Sequence, residues 1–554
     1  MKKNILGYCL LLVAVLLASC SKKNNYENVL PKDAAMVVSV DLVSMAEKSG
    51  LSGDEGAPVV ARLNEALKSG AEGAGELIDK ITKDPSESGL DLTEKIYYFI
   101  ESGGVSTGLV IRVSDQDKLE DLLNALHNQQ VCEKPVEAEG CMWTSMGRVL
   151  VTYTDDAFLA LLDLKGGEAK DMLHMASMLL RQTEKDGFTA TSDFQQMKNQ
   201  KGDIVLLSSL DLLPGEYVTP LTMGVSATLD LKNIKALSTI SFEKGKIVMD
   251  VQDITTDKVM TSLVEKQLQA TNPVKGTYLD TFPANTFFWM SGNVDGNKIY
   301  QLLCENPTVR QQFESSIMPI DFEAIFGSIK GDVAVAVTNP LQNGFIAYAD
   351  VTNSQFLQTF EDLKPLLALT NGQMQLINRG ADSYEFRMRN GSMMGLRAGN
   401  VSFWFGVKNN RLYFTNDYNL VDTRVPGLTL RDCPWGQKVS GKRCFVGMNF
   451  TSASDQAKQL LGNNSQYAPA IGALRILDYM TIETVDYKTS HIELTTKSKD
   501  KNVLQHNFLP QIPIPPSILA SSLTPICRNS ILVLNTAARS FTSSRKSTRP
   551  SAVK

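Results

Sequence analysis

The sequence has few of the residues and motifs from which catalytic and metal centres are usually built. It contains no H-E-x-x-H motif, no EF-hand loop and no Rossmann fingerprint, the patterns typical of zinc proteases, calcium loops and dinucleotide sites. Histidine, a common general base and metal ligand, is scarce as well. These absences favour a protein that is not an enzyme and that holds no metal and no cofactor. The 554 residues include four histidines: His127, His174, His491 and His506.

Long apolar runs are also scarce, and basic residues are fewer than acidic ones. Beyond the N-terminus, no stretch reaches the roughly 20 apolar residues that a membrane-spanning helix needs. The span 21–500 carries 46 basic and 60 acidic residues. Nucleic-acid binding depends on clustered Lys and Arg, so this acidic balance argues against nucleic acid as a partner. The length and the 43% hydrophobic content predict two or three packed domains.

The N-terminus is different, because it combines basic charge with an apolar run. Two lysines follow Met1, and the run extends from Gly7 to Leu17. This length is typical of a signal peptide and too short for a membrane span. The run ends in LASC at 17–20, which resembles the bacterial lipobox, whose cysteine accepts diacylglycerol and becomes the first mature residue.

From this motif we predict a signal peptide at 1–19, acylation of Cys20 with palmitate-type chains, and a tether at 20–28. Several acyl chains anchor a protein stably, whereas one does so only marginally. The alternative is an ordinary secretory signal that happens to contain a cysteine. Ser21 is not the aspartate that retains lipoproteins at the inner membrane, and two lysines replace the acidic cluster typical of surface lipoproteins of Bacteroidetes. By that resemblance we expect the outer membrane, facing the periplasm, with the cell surface as the alternative.

Four cysteines of the body form two candidate disulfides, because an exported chain meets an oxidising compartment. Cys132 and Cys141 flank EKPVEAEG, and Cys433 and Cys444 flank PWGQKVSGKR. Spacing alone does not fix which cysteines join. Neither pair has a histidine nearby, which disfavours a zinc site.

Two parts of the sequence resemble each other in order. LPKDAAMVVSVDL at 30–42 aligns without a gap with FPANTFFWMSGNV at 282–294, and matching strands, amphipathic helices and a final hairpin follow. We therefore predict an α+β fold of two homologous halves, 29–270 and 275–500, each an antiparallel sheet with helices packed on one face. A helical insertion at about 57–82 interrupts the first half. The alternative is two unrelated α+β domains of similar composition.

The lipobox, LPKDAAMVVSVDL and FPANTFFWMSGNVDGNKIY together resemble the Bacteroidetes lipoproteins of the domain-of-unknown-function family numbered 4836. The resemblance covers about residues 1–504. It implies export and lipidation. It supplies no activity and no site residues to carry over.

The C-terminal segment differs from the body in composition. Residues 501–554 contain seven Lys or Arg, no Asp or Glu, and clustered prolines. We hypothesise that a frameshift near Gln505 replaces the native end. The alternative is a genuine basic, proline-rich tail at 505–554 that contacts anionic envelope polymers. In both cases we expect the tail to be poorly ordered.

Two patterns suggest other functions. GVSTG at 104–108 fits the nucleophile elbow and nominates Ser106 for a serine hydrolase, although strand-like sequence on both sides favours a hairpin loop. The aromatic segments FFWMSG, YEFRM, VSFWFGV and CPWG suggest a platform for sugar rings, although alternating strands usually bury such residues. The leading hypothesis is a lipid-anchored envelope protein that binds or scaffolds an envelope protein or glycan in the periplasm. A surface glycan-capture lipoprotein is the alternative, and a serine hydrolase is the distant one.

Overall fold

The computed structural model of the chain describes residues 26–50, 75–213, 229–314, 320–339, 344–391, 399–421, 425–451, 472 and 474–505. The predicted signal peptide, Cys20, most of the predicted insertion at 57–82 and the tail from residue 506 lie outside this part. No helix in the described part is long and apolar enough to cross a bilayer. The chain divides into two compact units, Met1–Val43 with Val60–Gln200 and Ser44–Val59 with Lys201–Lys554.

The first unit is built on eight described strands. They are β1 (Ala34–Val40), β2 (Leu90–Asp91), β3 (Ile96–Glu101), β4 (Ser106–Val113), β5 (Val136–Ala138), β6 (Cys141–Met146), β7 (Val149–Tyr153) and β8 (Ala157–Asp163). The antiparallel order is β1-β3-β4-β8-β7-β6-β5, and β2 pairs with the end of β4. The turn between β3 and β4 uses Gly103 and Gly104, both at positive φ, which glycine adopts without a Cβ clash.

The second unit contains fourteen described strands. They are β9 (Ile204–Ser209), β10 (Lys235–Glu243), β11 (Lys246–Asp253), β12 (Thr271–Asn272), β13 (Phe288–Asp295), β14 (Ile329–Asn339), β15 (Gly344–Val351), β16 (Met374–Gly380), β17 (Ser383–Met388), β18 (Val401–Lys408), β19 (Arg411–Thr415), β20 (Cys444–Asn449), β21 (Leu477–Thr484) and β22 (Thr489–Thr496). Their antiparallel order is β9-β10-β11-β22-β21-β20-β13-β14-β15-β19-β18-β17-β16, with β12 on the end of β13.

Helices connect these strands. The described ones are α1 (Leu42–Ser49), α2 (Gly75–Lys83), α3 (Gln116–Asn128), α4 (Leu173–Leu180), α5 (Ser192–Lys198), α6 (Lys258–Ala270), α7 (Gly296–Cys304), α8 (Pro307–Glu314), α9 (Phe322–Ser328), α10 (Gln358–Glu361) and α11 (Lys364–Ala368). Aspartates start four of them: the side chains of Asp115, Asp257, Asp295 and Asp321 accept backbone N–H groups that would otherwise lack partners. Helix α3 buries Leu119 and Leu123 in one apolar cluster of the first unit.

The predicted fold class is wrong. Antiparallel sheet, with 22 described strands, dominates the molecule in place of two separate helix-covered sheets. Strand β11 belongs to the predicted first half and β22 to the second, yet they pair directly from Lys246–Thr495 to Gln252–Thr489. Each ends an apolar hairpin whose outer edge presents unpaired N–H and C=O groups, and pairing the two edges satisfies both. The sheet therefore crosses the boundary between the predicted halves.

Candidate functional site

The segment Tyr26–Leu30, which we call the N-terminal clamp, is buried in the first unit. All five residues are buried, and Tyr26 and Leu30 are only 1% and 0% exposed. The Leu30 carbonyl accepts the Phe188 N–H at 2.9 Å, and the Tyr26 hydroxyl donates to the Lys95 carbonyl at 2.9 Å. The first described residues are therefore part of the fold, although the sequence suggested a tether as far as residue 28.

Glu27 is the charged residue of the clamp, and its buried carboxylate needs local compensation. The Tyr97 hydroxyl donates to Glu27 Oε1 at 2.8 Å, and Lys198 Nζ lies 3.3 Å from Oε2. Burial and the charge of Glu27 raise the pKa of Tyr97 well above its usual range, so the phenol keeps its proton and remains a donor. The clamp thus combines apolar burial with a buried ionic contact.

A second feature lies at the β16 end of the second unit, on strands β16, β17 and β18. In register, Glu385 faces Trp404 and Arg387 faces Ser402 across β17 and β18. Residues two apart on a strand point to the same side, so these four side chains share one face. With Arg379 from β16 they form a group that we call the arginine–tryptophan patch.

Glu385 lies at the centre of this patch, with its side chain 2% exposed. Arg387 donates to Oε1 through Nε and Nη2 at 3.0 and 2.8 Å, Ser402 Oγ donates to Oε1 at 3.1 Å, and Arg379 donates to Oε2. Burial raises the pKa of Glu385, but the hydrogen bonds from Arg379, Arg387 and Ser402 outweigh it, so the pKa falls below its ordinary value. The carboxylate is therefore ionised and shared by two guanidinium groups.

The patch carries a surplus of positive charge beside an aromatic surface. The side chains of Arg379 and Arg387 are 48% and 44% exposed. Trp404 is partly buried, and its ring centroid lies 6.3 Å from that of Tyr418, which is 47% exposed. Aromatic rings stack against sugar rings, and guanidinium groups pair with carboxylates. This combination suits a ring-shaped ligand with negative charge, such as an acidic sugar.

Two buried glutamates lie on strands β21 and β22 and are neutralised by lysines. Lys442 Nζ is 2.7 Å from Glu483, and Lys246 Nζ is 3.1 Å from Glu493. Burial raises the pKa of Glu493. The hydrogen bond from Lys246 and nearby positive charges lower this pKa by more than burial raises it, so the net result is a decrease. The described residues include no group of three or more His, Cys, Asp or Glu that could hold a metal ion. We regard these pairs as stabilising the sheet face.

Ser106 occupies the first position of β4 and is 2% exposed. Its hydroxyl donates to the Glu101 carboxylate within the same hairpin. Ser106 is therefore a buried serine in a β-strand. In a nucleophile elbow, by contrast, the turn exposes the serine hydroxyl. The histidines in the described part form hydrogen bonds with groups other than Ser106. His127 contacts the Cys132 carbonyl, His174 contacts the Glu139 carboxylate, and His491 contacts the Asp250 carboxylate.

The candidate disulfide cysteines are placed on loops and strand starts. Cys132 Sγ donates to the Leu123 carbonyl and Cys141 Sγ to the Ala138 carbonyl, so both are thiols in this structure. Cys433 Sγ contacts the Ala284 carbonyl, and Cys444 is buried at the start of β20. The two disulfides stay a prediction for the protein in an oxidising compartment, and acylation of Cys20 lies outside the described residues.

The aromatic segments separate into two groups. Trp289 of FFWMSG and Trp435 of CPWG are 0% and 2% exposed and stack at 5.9 Å within the core of the second unit. Those two segments therefore supply core residues. YEFRM and VSFWFGV become the paired strands β17 and β18 that carry Glu385 and Trp404, and Trp404 is partly buried against the same core cluster. The Glu-x-Arg spacing in YEFRM was a visible signal for a shared face, whereas Ser402 could be placed only with the register known.

Comparison with known proteins identifies a family and no activity. A family model described as Domain of unknown function (DUF4836) matches residues 26–504. No curated protein matches the chain. Among solved structures, crystal form I of TP0453 matches at 12% identity and a TM-score of 0.26, over 46% of this chain and 88% of that one. Crystal form III of TP0453 matches at 13% identity and a TM-score of 0.25, over 45% and 87%. These TM-scores and identities are too low to support a conclusion about the fold or the function of this chain.

Proposed function

This chain belongs to the DUF4836 family, and we propose that it is a lipid-anchored protein of the bacterial cell envelope that binds or scaffolds an envelope partner without catalysing a reaction. In this proposal Cys20 is the acylated N-terminus. The protein is a Bacteroidetes lipoprotein of the outer membrane and faces the periplasm.

The observation that carries the proposal is the position of the N-terminal clamp. Tyr26 is buried only six positions after Cys20, and the family match also begins at residue 26. A buried, folded segment is therefore present from the sixth position after the predicted acylation site, and this supports an anchor at Cys20 that holds the body near a membrane. The buried hydroxyl of Ser106 and the neutralised glutamates of β21 and β22 support a binding role over a catalytic one.

The test is a Cys20→Ala variant expressed in the native host beside Cys304→Ala, a matched control in the folded body. We expect the wild-type protein and the control to incorporate an alkyne-labelled palmitate analogue and to fractionate with the outer membrane. The Cys20→Ala variant should lose the label and leave the membrane fraction. Label that persists in Cys20→Ala would refute the assigned anchor. Protease treatment of intact and permeabilised cells then reads the membrane face, since a periplasmic protein is cut only after permeabilisation.

A second candidate function, capture of acidic glycans, is favoured by the arginine–tryptophan patch. Its net positive charge beside Trp404 and Tyr418 matches a uronic-acid polymer better than a neutral one. Affinity electrophoresis through gels containing polygalacturonate or neutral dextran measures the preference for an acidic over a neutral polymer. We expect retardation by polygalacturonate alone, weakened about tenfold in Trp404→Ala, the loss of roughly 1.4 kcal/mol of stacking. The Phe414→Ala control, at an exposed ring on β19, should bind as wild type. Equal mobility in both gels would rule this candidate out.

A further inference from the structure

We propose that the outer edge of strand β16 binds an extended polypeptide segment of alternating apolar and acidic residues, which pairs with β16 as an added strand. The strand runs from Met374 to Gly380 and borders the arginine–tryptophan patch. This inference rests on the proposed function, because it names the chemistry of the envelope partner that the protein binds.

Strand β16 is the last strand at one end of the sheet of the second unit. It pairs with β17, and no strand in the described part of the chain pairs with its other edge. An edge strand presents a row of backbone N–H and C=O groups with which another chain can pair. Charged side chains and bulges restrict such pairing, and β16 carries Arg379 and a register irregularity between Asn378 and Gly380. The edge therefore suits a strand with matching charge.

The hydrogen-bond pattern shows which backbone groups of β16 point outward. The Arg389 N–H donates to the Gln373 carbonyl at 3.0 Å, so the backbone of Gln373 faces β17. Successive residues of a strand direct their backbone groups to opposite edges, and Leu376 and Asn378 therefore direct theirs away from β17. Met374 also points outward, but a threonine hydroxyl in the preceding turn already bonds to its N–H and C=O groups. A partner strand can thus pair with β16 along Leu376 to Asn378.

The two faces of β16 determine which side chains a partner strand needs. Ile377 lies opposite Glu385, on the same face as Arg379 and the rest of the patch. On the other face Leu376 lies opposite Phe386, and both are partly buried apolar residues of one cluster. Successive side chains of an added strand point to these two faces in turn. Every second residue of the partner therefore meets the patch, and the residues between them extend the apolar surface.

The charge of the patch favours acidic residues on the first of these faces. Arg379 and Arg387 share the single carboxylate of Glu385, and both guanidinium groups are about half exposed. Further N–H donors of these groups can pair with an incoming carboxylate, whereas a basic segment is repelled. Main-chain pairing gives affinity and the alternating side chains give specificity, as in other cases of strand addition.

The test uses a fluorescein-labelled synthetic peptide, Thr-Val-Glu-Val-Glu-Val-Thr, and the full chain from Ser21 without lipid. Fluorescence anisotropy at low ionic strength measures binding. We expect the peptide to bind, and to bind at least about tenfold more weakly when the central Glu-Val-Glu amides are N-methylated, because methylation removes the N–H donors that strand pairing needs. The same peptide with lysine in place of glutamate should not bind.

Two variants of the protein locate the site. Leu376→Pro removes an outward N–H and keeps the ladder with β17, so it should weaken binding about tenfold. Arg379→Ala leaves the backbone unchanged and should weaken binding about fivefold at low salt, with a smaller effect at high salt. The matched control is Lys330→Ala, at an exposed lysine on β14, which should bind as wild type.

Three results would overturn the inference. The first is an N-methylated peptide that binds as tightly as its parent. The second is a parent peptide that binds Leu376→Pro and Arg379→Ala as tightly as wild type. The third is a protein that is retarded by polygalacturonate but does not bind the peptide, because the patch would then be a glycan site. None of these results bears on the acylation of Cys20, and an unacylated Cys20 would refute the proposed anchor without changing peptide binding.

Discussion

Replacing Tyr97 by phenylalanine removes one hydroxyl from the N-terminal clamp and leaves the ring in place. That hydroxyl donates to the buried carboxylate of Glu27 at 2.8 Å, and the remaining ionic partner, Lys198, is farther away at 3.3 Å and about half exposed. A hydrogen bond to a charged group contributes about 1.5–3 kcal/mol, and a buried acceptor left short of a donor loses most of that amount. We therefore expect the clamp and β1 to become less stable by about 2 kcal/mol in Tyr97→Phe.

Hydrogen exchange read by mass spectrometry measures this change locally, which suits a chain of two compact units where a single global unfolding curve is hard to interpret. A loss of about 2 kcal/mol corresponds to roughly thirtyfold faster exchange in peptides covering Tyr26–Val40. The matched control is Tyr98→Phe, the next residue on β3, whose side chain is 37% exposed. That variant should change exchange by less than about twofold. Equal exchange in Tyr97→Phe and Tyr98→Phe would refute the assignment of Glu27 as a buried, hydrogen-bonded charge.

Three further predictions concern the second unit. The pKa of Glu385 is lower in the folded state than its ordinary value of 4.5. Its ion pairs therefore stabilise the protein above pH 4.5, and this stabilisation is lost as the pH falls below 4.5. In Glu385→Gln, the melting temperature should fall less steeply below pH 4.5 than in the wild type. Trp289→Ala should cost about 3–5 kcal/mol, read as faster hydrogen exchange in peptides covering Phe288–Asp295, because the indole is fully buried and stacked in the core. A chain ending at Gln505 should melt like the full-length protein, whereas one ending at Lys499 should lose about 3 kcal/mol or more with the buried Val503 and Leu504. An equal melting temperature for all three would contradict the packing of this segment.

The hairpins of this protein could be predicted because their signals are local. Alternating apolar residues around short turns mark β3–β4, β10–β11 and β21–β22, and these hairpins form. The pairing of β11 with β22 could not be predicted in the same way. It joins residues about 240 positions apart, and its register depends on which strand edges remain open after the local hairpins have formed. That pairing is one reason why the predicted fold class, with a helix-covered sheet in each half, is wrong.

Functional features could likewise be predicted where they depend on a short stretch of sequence, and were missed where they depend on residues far apart in the chain. The predicted acylation site at Cys20 and the Glu385-x-Arg387 spacing are visible in short stretches of sequence. The clamp was missed because Tyr26 to Asn28 look like a polar tether, and the partners that bury Glu27 lie 70 and 171 residues away. The sequence also could not show that Trp289 is fully buried in the core whereas Trp404 is only partly buried against the same cluster, since both lie in alternating aromatic strands.

We propose that the mature protein begins at an acylated Cys20, six positions before the buried Tyr26. The mass of the N-terminal peptide, taken from protein extracted from native membranes with detergent, tests this proposal. We expect a peptide that begins at Cys20 and carries a diacylglyceryl group and an additional acyl chain. An unmodified N-terminus, or one that begins at any other residue, would contradict it.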